Sequence, residues 1–186
     1  MSKFLQSRAA QGIAAEFVDS NFLTVSGLRS LIPGDFYLLE ILPRENTPLA
    51  SVRPCFLLLH EKFLSVLFQC HQNGIIHGDL GEPVWNCFNY LGDEKPFDNP
   101  LNQNKENIAL LASLLKLPPE EFHNCILFDN ECELRRIPGS TQQHSIIWAD
   151  QVEEHFAALL PKLPVRYSHT QLEALHDIFV LVSNEG

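Results

Sequence analysis

WNCFNYLGDEKPFDNPLNQNKENIALLASLLKLPPEEFHNCILF, residues 85–128, decides the fold of this chain. A residue before proline is pushed out of the α region, so Asn99-Pro100 interrupts regular structure and a helix starts there. The apolar positions that follow, Leu101, Ile108, Leu111, Leu114 and Leu115, recur at helical spacing. Asn102, Lys105, Glu106 and Ser113 fall on the other side, the pattern of a helix laid on a sheet. Leu117-Pro118-Pro119 ends the helix. Cys125-Ile-Leu-Phe128 is then a short apolar run between polar residues, the mark of a strand covered on both faces. Helix followed by doubly buried strand is α/β grammar.

Working back toward the start, Val52–Leu59 and Phe63–Cys70 are two apolar runs separated by His60-Glu61-Lys62, which reads as a β-hairpin. Phe36–Leu42 is a strand of mixed exposure, and Pro33-Gly34-Asp35 before it is a turn. Residues 1–32 form an N-terminal helical segment with Ala9, Ile13, Phe17, Val25, Leu28 and Leu31 inward, broken near Ser20-Asn21 or Gly27. Asn73–Asp79 reads as turn, short strand, turn, and Gly92–Lys95 as a solvent turn. Asn99 and Gln103 are expected to clamp local backbone.

Working forward, the acidic run Asp129–Glu133 is expected to exit to solvent, and His144–Trp148 to form a last strand. Asp150–Leu160 has helical spacing, and Ser168-x-x-Gln171 is a capping box that opens a C-terminal helix over 168–183. The eight histidines show neither a metal motif nor a helical pair facing one way.

A chain of 186 residues, 45% apolar and 19% charged, fits a single globular domain spanning 1–186. Its 13 basic and 23 acidic residues leave a net charge of −10, which opposes a phosphate-backbone partner. The five cysteines, Cys55, Cys70, Cys87, Cys125 and Cys132, are odd in number and show no CxxC spacing, so they read as reduced, buried thiols. Polar residues break the apolar stretches near the start, excluding a secretory signal, and no run is long enough to span a membrane. A cytoplasmic location is expected.

Trp85, Gly92, Phe97, Asn99-Pro100-Leu101 and Gln103, followed by a helix and an ILF strand, resemble the second half of the nuclease-related domain, NERD, a bacterial branch of the restriction-endonuclease-like PD-(D/E)XK fold. Gly12, Ala15-Glu16 and Val18 are similar to that family's opening pattern. The resemblance implies an α/β fold with a central mixed sheet of five or six strands flanked by helices. It also implies where chemistry would lie. In active members one hairpin strand begins with Asp and the next carries Glu-x-Lys or Gln-x-Lys, holding Mg²⁺ against the scissile phosphate and activating water. Glu16 occupies the helix position that can approach the metal.

On this chain the first strand, SVRPCFLLL, contains no carboxylate, and Arg53 stands near the position for Asp. The second offers Gln69-x-His71 in place of Glu-x-Lys. The expectation is a degenerate nuclease-related domain that needs no cofactor and acts through a protein partner, self-association or a nucleic-acid-linked interaction. The alternative is a Mg²⁺- or Mn²⁺-dependent nuclease in DNA processing with a rearranged site of Glu16, Gln69, His71 and Asp79; Glu61 and Glu82 are further candidates for a displaced acid. A third possibility, a nucleic-acid scaffold without cleavage, requires one basic surface around Arg53, Lys62 and Arg135-Arg136.

Overall fold

The computed structural model describes residues 24–184 other than 90, 138 and 142. The expected helix before residue 24, and with it Glu16, lies outside the described residues. The elements run α1 (Val25–Leu31), β1 (Phe36–Ile41), β2 (Cys55–His60), β3 (Phe63–Cys70), β4 (Ile75–His77), β5 (Val84–Phe88), β6 (Glu94–Asp98), α2 (Pro100–Leu115), β7 (Phe122–Phe128), β8 (Glu133–Arg135), β9 (His144–Trp148), α3 (Val152–Leu159) and α4 (His169–Asn184). The fold is mixed α/β.

Instead of one central sheet there are two, a five-stranded one in the order β1-β2-β3-β7-β9 and a four-stranded one in the order β6-β5-β4-β8. In the larger sheet β1, β2 and β3 form an antiparallel meander, with Leu38 opposite Leu58 and Leu58 opposite Ser65. β7 and β9 then add in parallel. Parallel neighbours need crossovers. The β3-to-β7 crossover carries β4, β5, β6 and α2, and the β7-to-β9 crossover carries β8, which pairs with β4. The smaller sheet is therefore assembled from both excursions that leave the C-terminal ends of the parallel strands.

Strand alternation sorts the core into layers. Leu57, Leu59, Leu64 and Val66 pack with Ile108, Leu111 and Leu115 of α2 and Leu172, Leu175 and Phe179 of α4. On the other face Phe56, Leu58, Leu67, Cys125 and Leu127 pack with Leu28 of α1 and Val152 and Phe156 of α3. A third cluster joins the sheets, bringing Cys70, Ile126, Phe128 and Ile146 against Ile76, Trp85 and Cys87. Trp85 lies flat against Phe128, with ring centroids 6.5 Å apart at 9°.

Local chemistry sets these elements. Asn99 caps α2, its Oδ1 accepting from Leu101 N at 2.9 Å, and its Nδ2 donates to Glu82 O at 2.7 Å, so one side chain starts the helix and ties down the loop after β4. Gln103 departs from the expected backbone clamp and donates to the Asp98 carboxylate instead. Gly78 has no Cβ because one would run into the Trp85 ring. The capping box at α4 forms as read, with Gln171 Oε1 accepting from Ser168 N and Ser168 Oγ accepting from Gln171 N.

Two segments read as loops are strands. Glu94 and Lys95 begin β6 rather than a turn, because Asn89 closes the turn earlier, its Oδ1 accepting from Leu91 N and Asp93 N. In the acidic run after β7, Glu131 and Glu133 face solvent as expected, but Cys132 is buried and Glu133 starts β8 against Ile75. Proline is tolerated in β6 because Pro96 faces Asn86 on a strand whose other side is unpaired among the described residues. Arg29 of α1 donates to Leu38 O of β1, occupying part of the larger sheet's open edge.

Candidate functional site at the ends of the parallel strands

Open α/β sheets hold ligands beyond the C-terminal ends of their parallel strands. Here the α2 side of that region is filled by the Trp85 cluster. Of the positions singled out from the sequence, Gln69 alternates with Leu67 onto the α1/α3 side, whereas Arg53 is on the α2 side. Gln69, half-buried, pairs with Leu127 in the parallel register of β3 and β7. Phe56, opposite Leu67, is the last β2 residue paired with β3, and Arg53-Pro54 lie just before β2 at the same end of the hairpin as Gln69 and Cys70. A ring without an N–H and a cation stand where the resemblance puts a metal-binding acid.

Arg53 is tied to α2. Its backbone N–H donates to Asn107 Oδ1 at 2.9 Å, its carbonyl accepts from Asn107 Nδ2 at 3.3 Å, and its guanidinium lies 3.5 Å from the Glu106 carboxylate. Asn107 is 1% exposed, so this two-point clamp is the firm part, whereas the Arg53–Glu106 pair is exposed and worth little.

His71 follows β3, and its Nδ1 lies 3.6 Å from the Asp129 carboxylate, which follows β7. That separation is an ion-pair distance rather than a hydrogen bond. Asp129 is the acid that sequence reading missed. It belongs to the run assigned to solvent, and only the parallel pairing of Cys70 with Phe128 carries it to His71. Beneath it the Cys70 and Cys132 thiols are held in their protonated form, chiefly by burial and further by the Asp129 charge, with Cys132 raised to about 11.

The other proposed acids stand elsewhere. Glu61 is at the hairpin tip, separated from Gln69 by the length of β3, about 20 Å, and its carbonyl accepts from the Arg166 and Tyr167 N–H groups. Asp79 holds a turn: its carboxylate accepts from Gly81 N at 3.0 Å and its carbonyl from Trp85 Nε1 at 2.8 Å. It lines a shallow cleft of about 270 Å³ with His77, Gly78, Glu82, Asn86 and Arg136, a set that includes none of Arg53, Gln69 and His71. Among the described residues no group of three His, Cys, Asp or Glu could hold a metal ion.

The basic residues do not form one surface. Lys62 is at the hairpin tip and donates to Leu160 O at 2.8 Å, Arg53 precedes the far end of β2, and Arg135 makes a two-point pair with Glu133 in the smaller sheet. Two histidine groupings also escaped sequence reading. His169 and His176 face one way on α4, their rings 6.4 and 4.7 Å from the Tyr37 ring, a spacing of seven that helical periodicity could have revealed. His123 and His155 converge on Ser145 from different elements, which no local pattern could show.

All five cysteines are buried and free, and among the described residues no helix is long and apolar enough to cross a membrane. Compared with protein families, with curated proteins and with solved structures, the chain finds no match.

Proposed function

We propose that this chain is a nuclease-related domain of the restriction-endonuclease-like kind whose cation-binding end no longer supports hydrolysis, and that it works by binding a protein partner or a second copy of itself. The observation that carries this reading is Arg53, which precedes β2 in a stretch without a carboxylate and is clamped to α2 by Asn107. A hard divalent ion needs oxygen donors, usually one or two carboxylates with water, and a guanidinium beside that position repels it. The packing of Trp85 and Phe128 over the strand ends adds to it, because it removes space where a substrate would lie. The net charge of −10 favours a protein partner over a phosphate backbone.

A metal-dependent nuclease is the second reading, and Asp129 is what favours it. A carboxylate beside His71 at the ends of β3 and β7 supplies one hard ligand and one possible base. One assay separates the two. Purified protein is incubated with single- and double-stranded DNA and with RNA, in Mg²⁺ and in Mn²⁺. The non-catalytic reading expects no cleavage above a metal-free control. Cleavage that disappears in Asp129→Ala or Glu16→Ala would establish the enzyme instead.

A further inference from the structure

At the N-terminal ends of β7 and β9, away from the candidate site, one buried hydroxyl stands between two imidazoles. Ser145 of β9 is 1% exposed. Its Oγ lies 2.8 Å from Nε2 of His123 on β7 and 3.0 Å from Nε2 of His155 on α3. Aromatic rings enclose the group: Phe63 meets His123 edge-on, His155 meets Phe156 edge-on, and Phe63 and Phe156 stack at 5.9 Å. So buried a hydroxyl cannot be reached by a substrate, which excludes a nucleophile. What remains is proton storage.

The hydrogen count is restrictive. Ser145 has one proton to donate, and among the described residues the two Nε2 atoms are its partners. Both contacts are hydrogen bonds and the serine proton has an acceptor only if one imidazole donates from Nε2–H and the other accepts at a bare Nε2, with its own proton on Nδ1. A second Nε2 proton makes both rings donors. The buried serine proton then loses its acceptor inside the fold, and a charged ring sits in a half-buried place. We infer that His123, Ser145 and His155 are a one-proton latch, which ties α3 to the sheet at neutral pH and releases it on acidification.

The surroundings leave this role to the latch. The start of α3 is held by Asp150 N donating to Asn130 Oδ1, and its end by Lys62 Nζ donating to Leu160 O, and no histidine takes part in either contact. The remaining attachment is apolar, through Val152, Phe156 and Leu160. The charged groups on α3 and the elements against it include Glu153 and Glu154, Asp150 before α3 and Lys162 after it, Arg29 on α1, and Glu121 at the head of β7, which is engaged by Arg166 and Tyr167. Burial is the cause that disfavours the charged form of His155. His60 beside Phe63 and His144 beside Ser145 are disfavoured as cations in the same way, so the test must isolate His155.

The test uses the full chain with nitrogen-labelled histidines and amide-exchange protection factors read helix by helix. At about pH 7.5 one of the two rings should carry its proton on Nε2 and the other on Nδ1. Between about pH 7.5 and 5.5, protection in α3 should fall roughly tenfold more than protection in α2, the scale of one lost buried hydrogen bond. His155→Phe keeps an aromatic ring without the proton, and should abolish that excess. The same tautomer in both rings, equal pH responses of α3 and α2, or an undiminished excess in His155→Phe would each overturn the latch. The first two readouts need no variant, so a misfolded His155→Phe leaves the question decidable.

Discussion

The two sheets reach stability by different routes. In the larger sheet every residue of β2 is buried, and helices cover both faces. In the smaller one β6 is exposed except at Phe97, and only one face, through Ile76, Trp85 and Cys87, meets a core. The larger sheet is held by apolar area that many residues share. The smaller rests on a few particular fittings: the Trp85 ring, the bare Gly78 beneath it, and Asn99 binding the loop between β4 and β5. Damage should therefore spread thinly in one and fall on single positions in the other.

The sharpest way to break that comparison is Trp85→Ala, which empties the seat of the smaller sheet and should cost about 4 kcal/mol in urea unfolding. Amide protection should vanish first in β4–β6 and persist in β2 and β3; simultaneous loss would show one cooperative unit. Gly78→Ala comes next, at up to about 3 kcal/mol, because the added methyl displaces that same ring. Within the larger sheet, Asn104→Ala should cost about 2 kcal/mol. It removes the donor to Val66 O and Asn124 Oδ1, both at 2.8 Å, and leaves them buried beneath α2. A loss under about 0.5 kcal/mol would mean that apolar contact alone seats the helix.

The smallest effect is the pH dependence. Burial lowers the folded-state titration of His60, His144 and His155 below the ordinary 6.5. The unfolded chain then binds more protons just below that pH, so their contribution is complete above it and is lost as pH falls. Buried thiols bound the other side. Burial raises Cys55 and Cys125 to about 12, so the unfolded chain loses protons first and stability declines above about pH 8.5. Melting temperature against pH should show a plateau between these limbs, and a maximum at acid pH would refute the histidine limb.

Sequence reading succeeded where burial is continuous. The hairpin of β2 and β3, the helix after Asn99-Pro100, and the strand ending at Phe128 each announce themselves through apolar runs longer than chance turns allow. It failed where pairing, not composition, makes the strand. Glu133–Arg135 is three residues with two charges, and it is a strand only because β4 offers an edge to it. Asn104 and Asn107 sit at polar-looking positions of α2 yet are buried, since their partners, Val66, Asn124 and Arg53, come from distant parts of the chain. The candidate site was half legible. Gln69 was found on its strand and His71 just beyond it, but Asp129 becomes the neighbour of His71 only through the parallel register.

Pro96 has a further consequence. Asn89 N bonds to Asp93 O, and that pairing alternates two residues at a time along the β5–β6 ladder, so residue 96 points its amide position outward, away from β5. At the middle of the outward row of β6, which a foreign strand could copy, the donor is missing. A growing stack of chains would meet a gap at that rung, so the most exposed strand of the molecule is also a poor template for aggregation.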